Sequence, residues 1–261
     1  MKRSIRILAV GDVTSPSALE YLSSRLWGVR EREKIDFTVV NAENAGFITG
    51  VGSEGAKTLL FGGADCLSGG NHTMRNRSVY TYLDECDRII RPINYGGEAP
   101  GRGYTVLDAN GLRVLVINAL GCVHIEPRLD SPFDYIERAL ECECGNFDVS
   151  VLDIHAEATG EKLAIANCFD GRIDVIFGTH THVPTADMTV LPKGTGYVTD
   201  VGMCGESGGI LGLETSSVIE TIRKHMPPRF TVAKGAPRAD GVIFTVDVQA
   251  HRVTEIKRIE I

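Results

Sequence analysis

The sequence predicts an α/β fold in which two mixed β-sheets pack face to face with helices outside. Three observations carry this expectation. Short β-branched, apolar runs alternate with helical patterns along most of the chain. The early runs deliver polar residues at their C-terminal ends. An Asn110-Gly111 pair separates two alternating runs, the mark of a hairpin and so of antiparallel strands within the same fold.

Taken in order, Ser4 to Val10 is a β-type run that ends in Gly11 and Asp12, and a helix with Leu19, Leu22 and Leu26 on one face is expected from about Ser17. Phe37 to Val40 is the next strand and ends in NAEN; a glycine-rich stretch and a helix over Ser53 to Phe61 follow. Ala64 to Leu67 runs into SGGNHT. Gly103 to Ala109 and Leu112 to Ala119 form the hairpin, and Asp134 to Cys142 reads as a helix. Val149 to Ile154 leads into HAEAT, Glu161 to Cys168 is a short helix, and Asp174 to Phe177 precedes FGTHTHVPTAD. Gly196 to Val201, a helix over Ser216 to His225, and β segments at Phe230 to Ala233, Val242 to Val248 and Val253 to Ile259 complete the chain. No internal repeat and no dividing linker is evident, so residues 1–261 are expected to form one domain.

Composition narrows the function classes. No apolar run approaches the roughly 20 residues that span a bilayer, and the start MKRSIRILAVGDV lacks a signal-peptide core and cleavage site, so a cytoplasmic protein without membrane association is expected. Seven cysteines, an odd number without a CxxC pair, argue against a disulfide framework and a zinc ribbon. Cys142 and Cys144, in ECEC, read as a solvated helix end. A net charge of −7 without a basic run offers no footprint for long nucleic acid.

Loops at strand C-termini converge on one edge of such sheets, where α/β proteins place ligands. The polar clusters there are Asp12, Asn41 to Asn44, Asn71 and His72, His155, and His180 with His182. Asp12 and Glu43 bring carboxylates, Asn44 and Asn71 amide oxygens, and the three histidines imidazole nitrogens. Mixed oxygen and nitrogen donors without thiolate suit iron, manganese or zinc. Seven donors exceed the needs of one ion with an open position; they suit two, bridged by a carboxylate such as Glu43. Asparagines in place of further carboxylates leave the centre positive, which attracts a phosphate and lowers the pKa of a bridging water. His180 and His182 are expected to alternate on extended backbone so that each faces a different ion.

The series GDV (11–13), NAEN (41–44), GGNHT (69–73), DIHAEAT (153–159), GTHTHVPTAD (178–187) and TDVGM (199–203) resembles the bacterial metallophosphoesterases typified by YmdB. RPINY (91–95), LPKGTGYV (191–198) and PPRFTVAKG (227–235) extend the resemblance over nearly the whole chain. It implies a four-layer sandwich within the calcineurin-like superfamily. By position it implies Asp12, Asn44 and His182 on one metal, Asn71, His155 and His180 on the other, and Glu43 bridging. His72 would be the general acid, with a metal-bridging hydroxide attacking a phosphodiester such as 2′,3′-cAMP. The resemblance also suggests a homo-oligomer, a dimer or tetramer, for which the C-terminal β segments could supply the interface.

The chain departs from that pattern at TSPSALE (14–20), where a VGSPGR-like segment is usual, and at Met74-Arg75, where Trp-Asp is usual; His124 is also unexpected. These changes bear on substrate preference, since every expected ligand is intact.

Each motif also has a structural reading: Asp12 as a helix cap, NAEN as a turn, GGNHT as a glycine loop, His124 as a core or rim residue. GFITGVGSEG (46–55) lacks a GKS or GKT ending and reads as a mobile loop beside the site. His225 and His251 read as structural. A metallo-β-lactamase reading fails because the aspartate after His182 lies too far on. A relative of the capsule-biosynthesis CapA group and a non-catalytic nucleotide-binding regulator remain as alternatives.

Overall fold

A computed structural model describes residues 4–46, 49–225 and 231–261. Phe230, expected to open a strand, lies outside the described residues, as do Pro227 to Arg229 of PPRFTVAKG and Phe47 and Ile48 of the glycine-rich stretch.

β1 (Ser4–Val10) shows how the layers arise. Ile5, Ile7 and Ala9 point to one face and Leu8 and Val10 to the other, and all five are fully buried. A strand buried on both faces requires a layer on each side. On one side lie α1 (Pro16–Glu33) and α2 (Ser53–Phe61), whose Leu19, Leu22, Leu26 and Leu59 pack with Leu8 and Val10. On the other side lies a second sheet.

The first sheet runs β2 (Asp12–Val13), β11 (Met203–Glu206), β12 (Pro237–Asp247), β1, β3 (Phe37–Asn41), β4 (Cys66–Ser68), with β13 (Arg252–Glu260) paired to β12. The second runs β5 (Tyr104–Ala109), β6 (Leu112–Leu120), β7 (Val149–His155), β8 (Val175–Thr179), β10 (Gly196–Val198), β9 (Thr189–Val190). Both are mixed. β1, β3 and β4 are parallel to one another, as are β6, β7 and β8, while β12 is antiparallel to β1 and β5 to β6. Ile5, Ile7, Phe37 and Val39 of the first sheet meet Val114, Val116, Val151 and Phe177 of the second in a shared core. Leu115, Ile117, Leu152 and Ile176 face outward onto α4 (Phe133–Cys142) and α5 (Thr159–Cys168). The expected helix–sheet–sheet–helix layering is present.

Among the described residues the remaining α-helices are α3 (Tyr80–Glu85) and α6 (Thr215–Lys224). Helix α1 starts at Pro16 with Ser15 as its cap, accepting from Ala18 N at 3.0 Å, so Asp12 is free of the capping role. One expectation is corrected. The strand anticipated over Gly196 to Val201 stops at Val198, because Thr199 and Asp200 turn to bond Asp187 and Thr185, and the chain resumes as β11. The C-terminal β segments join the first sheet, where β12 pairs with both β1 and β13. In the described part of the glycine-rich stretch, Gly50 lies against the turn after His72, where a Cβ would meet Asn76 N at 2.9 Å.

Candidate metal centre

The C-terminal ends of β1, β3, β4, β7 and β8 lie along one edge of the two sheets, and each delivers part of the polar cluster. Asp12 follows β1 and forms β2, paired with Met203; Glu43 and Asn44 follow β3; Asn71 and His72 follow β4; His155 ends β7; His180 and His182 follow β8.

The structure brings Asn71, His155, His180 and Glu43 together. His155 Nε2 is 3.1 Å from Asn71 Oδ1, 3.1 Å from His180 Nδ1 and 3.3 Å from Glu43 Oε2. Glu43, His155 and His180 each turn a ligand atom to within 4.8 Å of the others, a group able to hold a metal ion. His182 Nε2 lies 3.8 Å from Asp12 Oδ1 on the neighbouring side. Glu43 divides its oxygens: Oε2 faces His155, while Oε1 accepts from Asn44 Nδ2 at 2.6 Å and lies 3.2 Å from His72 Nδ1. Asn44 Oδ1 is 2.7 Å from His72 Nδ1.

Two observations fit a cation here. Asp12 Oδ1 is buried without a hydrogen-bond partner, which is costly for a carboxylate oxygen unless something positive meets it. At Gly70 a Cβ would fall 2.3 Å from Glu43 Oε2 and 2.5 Å from His155 Nε2, so glycine leaves open the space between these donors.

The electrostatics agree. Burial pushes the Asp12 carboxyl up, only partly offset by His155 and His182. Burial would raise Glu43 too, but His155 and His72 hold it well below the usual carboxylate range. Burial pulls His155 down, yet Glu43 and Asp12 win and lift it to about 9. Burial and the charge on His155 drop His180 to about 3.

The ring orientations are fixed from behind. His155 Nδ1 lies 2.9 Å from Thr179 Oγ1, whose own proton goes to Asp153 Oδ1 at 2.7 Å. The hydroxyl therefore accepts from Nδ1–H, and Nε2 is left for the centre. His180 Nε2 meets Glu157 Oε2 at 3.1 Å, which leaves Nδ1 inward. Carboxylate support of this kind is characteristic of metal-ligating histidines.

The expectation that His180 and His182 alternate on extended backbone is wrong. β8 ends at Thr179, and the two histidines take φ of +98° and +65°. They separate because the chain enters left-handed backbone, costly for non-glycine residues and typical of over-determined functional sites. Asp200 holds this turn: its Oδ2 accepts from Thr181 N at 3.1 Å, Thr181 Oγ1 at 2.7 Å and the buried Lys162 Nζ at 3.1 Å.

Asp153, Glu157, Lys162, Thr179 and Asp200 carry supporting roles that the sequence reading did not assign. Asp153 was within reach, because it precedes His155 by two residues and so shares its strand face. Lys162 gave no signal, since nothing in its helix marks a fully buried lysine. His124 is exposed, which removes a core role. Cys142 and Cys144 are exposed near the end of α4, as a solvated helix end requires.

A family model described as "YmdB-like protein" matches residues 8–259. The chain is 37% identical over 255 residues to the 2′,3′-cyclic-nucleotide 2′-phosphodiesterase of Bacillus subtilis (strain 168), covering 98% of this chain and 96% of that protein. A crystal structure of a hypothetical protein from Thermus thermophilus superposes with a TM-score of 0.91 at 35% identity, covering 98% of this chain and 99% of the other. A crystal structure of a novel phosphatase from Mycoplasma pneumoniae also gives 0.91 at 31% identity, covering 100% and 94%. With a site of this composition, and with likeness over nearly its whole length, the chain belongs to the YmdB-like protein family.

Proposed function

We propose that this protein is a dinuclear metal-dependent phosphodiesterase acting on small phosphodiesters, 2′,3′-cyclic nucleotides such as 2′,3′-cAMP first among them. The observation that carries the reading is the divided Glu43, one oxygen toward His155 and the other toward Asn44 and His72. A carboxylate so placed suits a bridge, with Asp12, Asn44 and His182 on one side and Asn71, His155 and His180 on the other. Iron or manganese fits these donors best, and zinc is compatible. When bound, the ions supply Lewis acidity and an activated water.

The chain's own residues do the rest. His72 lies at the open side of the cluster, its Nδ1 held by Asn44 Oδ1 and Glu43 Oε1. That anchoring leaves Nε2 to give a proton to the leaving alkoxide, a role that histidine commonly fills. Thr179 and Glu157 keep the rings of His155 and His180 from turning.

No helix is long and apolar enough to cross a membrane among the described residues, and all seven cysteines are free. A cytoplasmic enzyme formed by a single domain over residues 1–261 is part of the same reading. A homo-oligomer is part of the proposal, and light scattering tests it.

The test of function is hydrolysis of 2′,3′-cAMP by manganese- or iron-loaded protein. Wild type should turn over, and His72→Ala should lose roughly 100-fold or more while still binding metal. Full activity in that variant would reject the assigned acid.

A further inference from the structure

Two parts of the sequence that the chemistry above leaves unused, RPINY (91–95) and Met74-Arg75, come together beside the metal centre. Asn94 fixes the first. It is buried; its Oδ1 accepts from Leu120 N at 3.0 Å, and its Nδ2 donates to Leu120 O and Asp130 O, each at 2.9 Å. Leu120 ends β6 opposite His155 in the register with β7. The clamp therefore holds the next residue, Tyr95, one strand away from a donor of the centre, and Tyr95 N closes the turn on Pro92 O at 3.2 Å. Arg75 comes from the loop after β4. It ends a short 3₁₀ turn (Thr73–Arg75) in which Arg75 N donates to His72 O at 2.9 Å, while the Tyr80 hydroxyl donates to Met74 O at 2.7 Å.

The Tyr95 phenol is close enough to Glu43 and to Arg75 for the charge of each to act on it. Burial and the Glu43 carboxylate push it up to about 12 against the pull of Arg75 and Arg91, so it keeps its proton at neutral pH. Tyr95 is half-buried, and among the described residues its hydroxyl takes no hydrogen bond; Arg75 is exposed and makes no ion pair there. Arg91 differs. It is buried, and its guanidinium is occupied by Pro92 O at 2.9 Å and Pro100 O at 3.2 Å. One neutral donor and one cation are thus left free beside a centre suited to phosphate.

Resting on the phosphodiesterase reading, we propose that Tyr95 is a further catalytic residue, donating a hydrogen bond to a non-bridging oxygen of the reacting phosphate, and that Arg75 strengthens binding of the anionic diester on the His72 side. A fixed donor aimed at an oxygen that gains charge stabilises the transition state more than the bound substrate. The phenol keeps its proton throughout, so the proton passed to the leaving alkoxide still comes from His72.

The experiment measures kcat and KM of manganese-loaded protein for 2′,3′-cAMP, melting by circular dichroism, and calorimetric titration of the loaded protein with inorganic phosphate. Tyr95→Phe should lower kcat roughly 10- to 100-fold and weaken phosphate binding about fivefold. Metal content and melting temperature should stay native, because the lost hydroxyl bonds no described residue. Arg75→Asp should raise KM and weaken phosphate binding by about fivefold, and it should flatten the fall of kcat/KM with added salt. Wild-type kcat in Tyr95→Phe, or a loss matched by a lower melting temperature, would overturn the catalytic role. Unchanged KM and salt dependence in Arg75→Asp would overturn the binding role, and the phosphodiesterase reading stands in either case. If loaded protein hydrolyses no cyclic nucleotide, that reading fails and the phosphate titration decides: weaker binding by both variants supports the contacts, and binding equal to wild type overturns them.

Discussion

Thr179 Oγ1 sits between His155 Nδ1, at 2.9 Å, and Asp153 Oδ1, at 2.7 Å, and its single proton belongs to the carboxylate. It follows that the imidazole donates from Nδ1, and that Nε2 faces Asn71, Glu43 and His180. Thr179→Val removes both bonds with little change in volume. Metal affinity should fall about 10- to 100-fold, as for other lost partners of ligating histidines, with Thr179→Ser close to wild type. Calorimetric titration with manganese checks this, and unchanged affinity in the valine variant would reject the tautomer argument.

Gly70 makes a second point about the same centre. Its missing side chain leaves the gap between Glu43 Oε2 and His155 Nε2. Gly70→Ala should abolish metal uptake by elemental analysis while circular dichroism stays native. Normal metal content would mean that the gap is not where a cation sits.

Lys162 and Asp200, both fully buried, tie α5 to the turn that carries the two histidines. Lys162 Nζ also donates to Thr179 O at 2.7 Å. Lys162→Met strands a buried carboxylate, so urea unfolding should show a loss of about 3–5 kcal/mol. A loss below about 1 kcal/mol would show that water or a shift of the turn replaces the ammonium.

Acid should loosen one helix end in a defined direction. The Glu214 carboxylate caps α6, accepting from Ser216 N at 3.1 Å and Ser217 N at 2.8 Å, and the Ser216 hydroxyl bond and these amides hold its pKa below the usual 4.5. A depressed carboxylate adds stability that is present above its unfolded pKa and is lost as pH falls through the folded value. An NMR titration of the Glu214 carboxyl should give a midpoint below 4.5, with the Ser217 amide shifting in step. A midpoint at or above that value would contradict the cap.

What the sequence made legible follows from which constraints are local. The parallel strands and their polar ends were readable because burial on both faces leaves continuous apolar runs, and because glycine, asparagine and histidine cluster where those runs stop. The seven expected ligands and His72 all fall on one edge for that reason. Long-range pairing was not readable. β2 and β11 exist because Met203 lies beside Asp12 across 191 residues of chain, and no pattern near either residue announces it. The left-handed backbone at His180 and His182 was hidden too, since it is imposed by Asp200 from the far side of a loop.

The most direct test of the central claim is metal stoichiometry measured with turnover on one preparation, by elemental analysis of untagged, chelator-free protein reconstituted with manganese or iron. The account predicts about two ions per chain, as a bridged two-metal site requires, together with hydrolysis of 2′,3′-cyclic nucleotides that a chelator abolishes and added metal restores. Protein that binds no metal, or that hydrolyses these substrates equally well after complete metal removal, would contradict it.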